Sequence, residues 1–219
     1  HGCDACVSVC PTGAFARSAG KPMTLDLGRC IFCAECVDVC PPKAIEQTGD
    51  HRMAASRRED LVLGESGKEQ VRLAAALAEK LRQLFGRSLR LRQVSAGGCN
   101  ACEADTNVLG AIGWDLGRFG IQFVASPRHA DGLLITGPVT VHLREALEQT
   151  YLAVPAPRIV IAVGACAIAG GPFADHSEVT GGAPGAVPVD LLIPGCPPHP
   201  ITILDGLLRF LGRIEERGE

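Results

Sequence analysis

The chain has 219 residues, enough for one large or two small domains, and 47% of them are hydrophobic, so a core can form. Its formal net charge of −3 and aromatic content of 4% argue against a nucleic-acid partner, because such partners are bound by basic patches and stacking rings. Eleven cysteines indicate either a disulfide scaffold or metal binding. Their clustering in C-x-x-C pairs favours metal, since such neighbours are poorly placed for several disulfides at once, and a reducing compartment follows.

Residues 1–47 contain an internal repeat. Cys3–Pro11 recurs as Cys33–Pro41 with identical spacing of all three cysteines, which predicts two copies of one supersecondary unit. Together with Cys30, the second copy completes the bacterial ferredoxin run C-x2-C-x2-C-x3-C-P, whose soft thiolates bind 4Fe–4S clusters. In this motif the fourth cysteine, beside the proline, ligates the other cluster of the pair.

This crossed ligation divides the N-terminal cysteines into two sets. One cluster is expected on Cys10, Cys30, Cys33 and Cys36. The other is expected on Cys3, Cys6, Cys40 and a cysteine that precedes His1. The last ligand is inferred because the first copy lacks its first cysteine, so the given sequence is expected to begin inside the motif. A water-ligated or three-iron cluster is the alternative, and zinc is disfavoured because four-ligand zinc sites do not usually interlock in this way.

Residues 51–87 are expected to form a charged helical linker. Apolar side chains recur at helical spacing from Ala74 to Phe85, which predicts a helix over 68–85. Lysine and arginine are dense from Arg52 to Arg92. This density is typical of a solvated connecting helix, and docking on an acidic partner or a membrane surface is the alternative. No apolar run approaches the roughly 20 residues of a membrane-spanning helix.

Residues 88–219 alternate between strand-like and helix-like segments, which predicts a parallel, doubly wound α/β sheet. The predicted strands are Leu89–Val94, Ile121–Val124, Leu133–Thr136, Ile159–Val163 and Leu191–Ile193. The predicted helices are Cys102–Ile112, Val139–Tyr151 and Ile201–Leu211. The expected fold is therefore an α+β ferredoxin-like domain over residues 1–50, the linker over 51–87, and an α/β flavodoxin-like parallel-sheet domain over 88–219.

The four remaining cysteines each follow a predicted strand. They are Cys99, Cys102, Cys166 and Cys196. Loops beyond the carboxyl ends of parallel strands converge on one crevice, so we expect a third 4Fe–4S cluster there. With one cysteine before His1, twelve thiolates would supply three clusters of four ligands. The alternative is a group of buried or redox thiols, with Cys99 and Cys102 as a thioredoxin-like pair.

Several short motifs in the second half resemble one family. They are Gly98–Glu103, Ser126–Asp131, Thr136–Thr140, Gly164–Ala167 and Pro194–Pro198. Together, over roughly residues 88–212, they resemble the NiFe-hydrogenase small subunit and complex I 20 kDa subunit family, while residues 1–47 resemble two-cluster ferredoxins. The resemblance implies an electron-transfer subunit with no catalytic residues of its own, which relays electrons between a donor or acceptor protein and a catalytic large subunit.

Within this family, the spacing of Cys99 and Cys102 resembles that of energy-converting hydrogenases such as formate hydrogenlyase, whereas the complex I subunit has two adjacent cysteines. The resemblance implies a hydrogenase-like or complex I 49 kDa-like large subunit, other subunits of a membrane complex, and a cytoplasmic, peripheral location on the membrane through those partners. A complex I-like NADH/quinone or other ion-pumping oxidoreductase without a NiFe site is one alternative. A structural or regulatory iron–sulfur protein is another.

Two further residues beside the predicted third cluster carry separate expectations. Glu103, next to Cys102, is a candidate proton relay, and a carboxylate that caps the start of a helix is the alternative interpretation. His199 stands where the family usually has arginine after two prolines, which puts partner contacts there in doubt. The isolated histidines are expected to be structural rather than ligands.

Overall fold

The computed structural model of the chain describes residues 3–17, 23–64, 71–85 and 88–214. These residues form a three-stranded antiparallel sheet followed by a five-stranded parallel sheet with helices. None of the helices in this part of the chain combines the length and hydropathy of a transmembrane span.

The N-terminal region consists of short elements arranged around the cysteine repeat. In chain order they are α1 (Ala5–Val9), β1 (Phe15–Ala16), β2 (Thr24–Asp26), α2 (Glu35–Asp38) and β3 (Val62–Leu63). The strands pair in the order β1-β2-β3, all antiparallel. Each copy of the repeat thus begins a short helix between its cysteines, as expected of two copies of one unit.

The region predicted as a linker takes part in both sheets. Strand β3 pairs with β2 through Leu63 and Leu25, so residues 62–63 complete the N-terminal sheet. Ala55 forms an antiparallel bridge to Leu192, with N–H to carbonyl distances of 3.0 and 2.8 Å, at the far edge of the parallel sheet. Residues 51–64 are therefore packed structure, not a solvated connection.

The prediction of a helix over residues 68–85 is wrong for much of that range. It is confined to α3 (Glu79–Phe85), residues 71–78 are not helical, and residues 68–70 lie outside the described part of the chain. The N–H of Ala74 donates to the carbonyl of Ala54 at 2.7 Å, and that of Leu77 donates to the carbonyl of Phe210 at 2.9 Å. These long-range bonds replace the local bonds that a helix would need.

The parallel sheet follows the predicted alternation. Its elements are β4 (Leu89–Ser95), α4 (Ala101–Val108), β5 (Ile121–Phe123), β6 (Gly132–Thr136), α5 (Val141–Ala153), β7 (Ile159–Val163), α6 (Ala165–Ala169), β8 (Leu191–Ile193) and α7 (Pro200–Phe210). The strand order is β5-β4-β6-β7-β8, and all neighbours are parallel. Numbered within the sheet this is 2-1-3-4-5, the order of flavodoxin-like doubly wound folds. The predicted α/β class is confirmed.

Two hydrophobic clusters lie on the two faces of this sheet. Along β6, Leu134 belongs to one cluster, whereas Leu133 and Ile135 belong to the other, as the period-two alternation of a strand requires. The second cluster also includes Leu27 from the N-terminal region and Leu61 from the predicted linker. The N-terminal region and the parallel sheet therefore share one core.

Candidate metal centres

Four cysteines lie just beyond the carboxyl ends of three strands, Cys99 and Cys196 on loops and Cys102 and Cys166 in the first turns of α4 and α6. Cys99 and Cys102 follow β4, Cys166 follows β7 and Cys196 follows β8. Burial raises the pKa of the Cys102 thiol to about 12, and the charges of Cys166, Glu103, Cys196 and Cys99 add to that rise. Burial likewise raises the pKa of Cys166 to about 11, with Cys196 and Cys99 among the contributing charges. The structure thus brings these four thiols together.

Two glycines pack directly against the sulfur atoms of this set. A Cβ added to Gly164, which has φ +93°, would lie 2.5 Å from Sγ of Cys102. A Cβ added to Gly171, with φ +57°, would lie 2.7 Å from Sγ of Cys166. Only glycine fits either position, because a side chain would occupy the space of the thiol and the backbone is left-handed. The cradle fits a group ligated by these thiols.

Glu103 lies in the first turn of α4, whose cap residue, Asn100, makes no side-chain capping bond. The Glu103 carboxylate accepts a hydrogen bond from its own N–H, one of the free donors at the start of the helix. The side chain is only 6% exposed, and Oγ1 of Thr136 donates a 2.7 Å hydrogen bond to its Oε1. Burial opposes ionisation, but bonds from Ser95 and Thr136 outweigh it and lower the pKa of the Glu103 carboxyl.

A second set of thiols faces a cavity in the N-terminal region. Burial raises the pKa of Cys6, with smaller contributions from the charges of Cys40 and Cys3. The same three cysteines line a cavity of about 340 Å³. Cys40, from the second copy of the repeat, thus lies with the two cysteines of the first copy.

The third set contains the remaining N-terminal cysteines. Burial raises the pKa of Cys30 to about 11, and the charges of Cys10, Cys36 and Cys33 add to it. The structure therefore brings Cys10, from the first copy, to the three cysteines of the second copy. Crossed ligation of two clusters by these two sets stays a prediction.

The repeat is also preserved in the hydrogen bonds to sulfur. The N–H of Ala14 donates to Sγ of Cys10 at 3.3 Å, and the N–H of Ala44 donates to Sγ of Cys40 at the same distance. Burial disfavours the thiolate form of Cys10, but hydrogen bonds from the N–H groups of Thr12 and Ala14 outweigh this effect and lower the pKa of the thiol. Such N–H donors stabilise thiolate charge and tune the potential of a bound cluster.

The arrangement of the cysteines can be compared with the two alternatives, a disulfide scaffold and a zinc site. All eleven cysteines are free thiols, which excludes the disulfide scaffold. Among the residues with described positions, no three His, Cys, Asp or Glu side chains converge tightly enough to hold one metal ion. A zinc ion draws its sulfur ligands to about 2.3 Å from a single centre, whereas each thiolate of a four-iron cube binds its own iron. Four-iron cubes therefore do not require the tight convergence that a zinc ion does.

The histidine near the third centre is structural. Nδ1 of His199 accepts a 3.2 Å hydrogen bond from the N–H of Ile201 and caps α7, and its ring packs edge-on against Trp114.

The sequence did not predict the ion pair between Asp26 and Arg58. The density of lysine and arginine from Arg52 to Arg92 was the only signal of it in the sequence. Charge composition does not identify a partner so far away in the chain.

Two family models match the chain. The model described as NADH ubiquinone oxidoreductase, 20 Kd subunit, matches residues 99–210, which is more than half of the 219 residues. The model described as 4Fe-4S dicluster domain matches residues 1–45. The two matches cover the two regions that contain the cysteine sets.

Individual relatives belong to oxidoreductase complexes. Formate hydrogenlyase subunit 7 of Escherichia coli is 42% identical over 143 residues, which are 65% of this chain and 56% of that protein. A subunit of the NADH-quinone oxidoreductase of Heliobacterium modesticaldum is 40% identical over 119 residues, 54% of this chain and 68% of that protein. A chain of the archaeal membrane-bound sulfane sulfur reductase complex superposes with a TM-score of 0.53 and 32% identity, over 63% of this chain and 76% of that one.

Proposed function

The chain belongs to the family of the NADH ubiquinone oxidoreductase 20 kDa subunit, and we propose that it relays electrons through three 4Fe–4S clusters to a catalytic large subunit. The observation that carries this proposal is the gathering of eleven free cysteines into three separate sets. Residues 1–50 would hold two clusters, residues 88–219 the third, and residues 51–87 would join the two domains. Residues 1–50 would form a ferredoxin-like α+β domain.

Each set supplies thiolates for one cluster. The first would be held by Cys3, Cys6, Cys40 and one further ligand, the second by Cys10, Cys30, Cys33 and Cys36, and the third by Cys99, Cys102, Cys166 and Cys196. When bound, such clusters supply one-electron redox chemistry. The residues of this chain fix the order and spacing of the clusters and set potentials through N–H donors. Glu103, buried beside Cys102, would hold or move a proton at the third site.

We favour a membrane-associated energy-converting hydrogenase as the host complex, because of the C-x-x-C spacing of Cys99 and Cys102. Its large subunit would contain the NiFe centre, so this chain is a non-catalytic subunit of an oxidoreductase. Other complex subunits would attach it to the cytoplasmic side of the membrane, where a donor or acceptor protein exchanges electrons with it. An ion-pumping, complex I-like oxidoreductase without nickel is the second candidate, favoured by the similarity to the NADH-quinone oxidoreductase subunit of Heliobacterium modesticaldum.

Iron analysis tests the cluster assignment. Anaerobically prepared protein in which the fourth ligand of the first cluster is present should contain about twelve irons per chain, four for each cube. Values near four or eight would contradict three clusters, and zinc in place of iron would contradict the assignment altogether.

Electron transfer tests the role. The chain alone should show no hydrogenase activity, whereas the assembled complex should pass electrons from reduced clusters to the large subunit. Clusters that reduce but do not pass electrons onward would indicate a structural or regulatory protein. Nickel analysis of the purified complex distinguishes the hydrogenase from the complex I-like alternative.

A further inference from the structure

The turn that carries Cys30 is tied to the predicted linker by a two-pronged ion pair. Both terminal nitrogens of the Arg58 guanidinium donate to the Asp26 carboxylate, one to each oxygen. The Asp26 carbonyl in turn accepts the N–H of Cys30 at 3.1 Å. The Asp26 and Arg58 side chains are 20% and 33% exposed, so the pair is partly shielded from solvent. Arginine paired in this bidentate way adds geometric specificity to its charge.

Gly28 connects this ion pair to the helix that contains Cys166. A Cβ added to Gly28 would lie 2.6 Å from Nη1 of Arg58 and 2.9 Å from Cγ2 of Ile168. Gly28 is therefore enclosed between the guanidinium and α6, with no room for a methyl group. Beside it, the N–H of Leu27 donates to the carbonyl of Leu61 at 2.9 Å, and both side chains lie in the core that contains Ile168.

Contact between the two regions is more open elsewhere. Phe32, which lies between two cysteines of the second set, and Pro197, which follows Cys196, line a cavity of about 420 Å³. The contact of Gly28 with Arg58 and Ile168 is closer than the packing around this cavity.

We propose that the Asp26–Arg58 ion pair is a latch that holds the turn of Cys30 against the helix of Cys166 and fixes the spacing of the second and third clusters. This inference rests on the proposed function. Cys30 would hold one cluster and Cys166 the next, and when bound these clusters would exchange one electron without a bond being made or broken in the chain. Arg58 is accordingly a positioning residue, because the fold contributes to such a step by placing its redox groups.

The first test compares Arg58→Gln with Arg57→Gln in the full chain carrying its clusters. Arg57 is the matched control, since its side chain is 72% exposed and reaches Glu59 only at 3.9 Å. The magnetic interaction between the reduced second and third clusters is measured by electron paramagnetic resonance. It should weaken or disappear in Arg58→Gln, with unchanged iron content. It should stay unchanged in Arg57→Gln. Arg58→Lys should restore it only in part, because lysine lacks the planar fork. An unchanged interaction in Arg58→Gln would overturn the latch.

The second test wedges the contact apart, because a methyl group at position 28 would displace the Arg58 guanidinium and the Ile168 side chain. Gly28→Ala should raise amide hydrogen exchange at Cys30 and Ile168 in the full chain as purified, whereas Gly49→Ala, which would meet nothing within 4 Å, should leave it unchanged. Equal exchange in the two variants would refute the latch. This measurement does not depend on the number of clusters, so a deficit of iron in the unaltered protein contradicts the proposed function while the latch is still judged on exchange.

Discussion

At the scale of single residues, the third site depends on space beside its sulfurs. Gly164→Ala would place a methyl group 2.5 Å from Sγ of Cys102 and force a left-handed backbone on alanine. We expect this variant to lose one cluster, about four irons per chain, while the two N-terminal clusters remain. Gly113→Ala is the control, because its Cβ would meet nothing within 4 Å. Iron analysis with absorption spectra checks this, and full iron in Gly164→Ala would contradict the cradle.

The partly buried Cys102 thiol at this site predicts that the stability of the fold depends on pH in the alkaline range. Burial raises the pKa of Cys102 from 9.0 to about 12, so its protonated form is favoured by the fold. Stability from such a group is complete below pH 9.0 and is lost as the pH rises through about 12. The unfolding temperature of the iron-free chain under reducing conditions should therefore fall across this range.

The same experiment on Cys102→Ala isolates the contribution of that thiol. Its unfolding temperature should fall less steeply with pH, because the group with the raised pKa is gone. Cys33→Ala removes an exposed cysteine and serves as the control. A slope in Cys102→Ala as steep as in the unaltered chain would show that the alkaline loss arises elsewhere.

At the scale of elements, predictability depends on where the hydrogen bonds are made. Strands such as Ile159–Val163 were identifiable from sequence because they are short apolar runs that the sheet buries on both faces. The non-helical conformation of residues 71–78 could not be predicted from sequence. Apolar residues at helical spacing also occur in a segment whose backbone N–H groups donate to distant carbonyls. The third cysteine set was predictable because strand ends converge, whereas the Asp26–Arg58 pair spans a separation that no periodic pattern encodes.

Helix α7 contains a buried ion pair whose removal should be costly. Nε of Arg209 donates to Oδ2 of Asp205 at 2.8 Å, and the two side chains are 7% and 8% exposed. Asp205→Ala leaves the guanidinium buried without its partner, so the free energy of unfolding should fall by about 3–5 kcal/mol. The Arg144–Glu148 pair on α5 has the same spacing but is exposed, and Glu148→Ala should change that free energy by about 0.5 kcal/mol or less. Denaturant unfolding measures both, and equal losses would contradict the argument.

At the scale of the whole molecule, the placement of the cysteine sets predicts an order for electron transfer. The third set lies at the carboxyl edge of the parallel sheet, where open α/β folds present a crevice to ligands or partners. A large subunit can cover that crevice and bring its own centre close to the third cluster. The turn of the second set contacts the same part of the molecule through Gly28 and Ile168. We therefore expect the first set, with Cys3, Cys6 and Cys40, to lie at the outer end of the relay.

Replacing one ligand in each half of the chain tests this order in the assembled complex. Cys166→Ala should abolish transfer to the catalytic centre while the N-terminal clusters are still reduced by the donor, because their thiolates are untouched. Cys33→Ala should instead block transfer from the donor and leave artificial-dye exchange at the large subunit intact. The matched measurements are cluster spectra and turnover after reduction by the donor. Normal donor-driven turnover in Cys166→Ala would contradict the proposed order, since electrons would then bypass the cluster placed next to the large subunit.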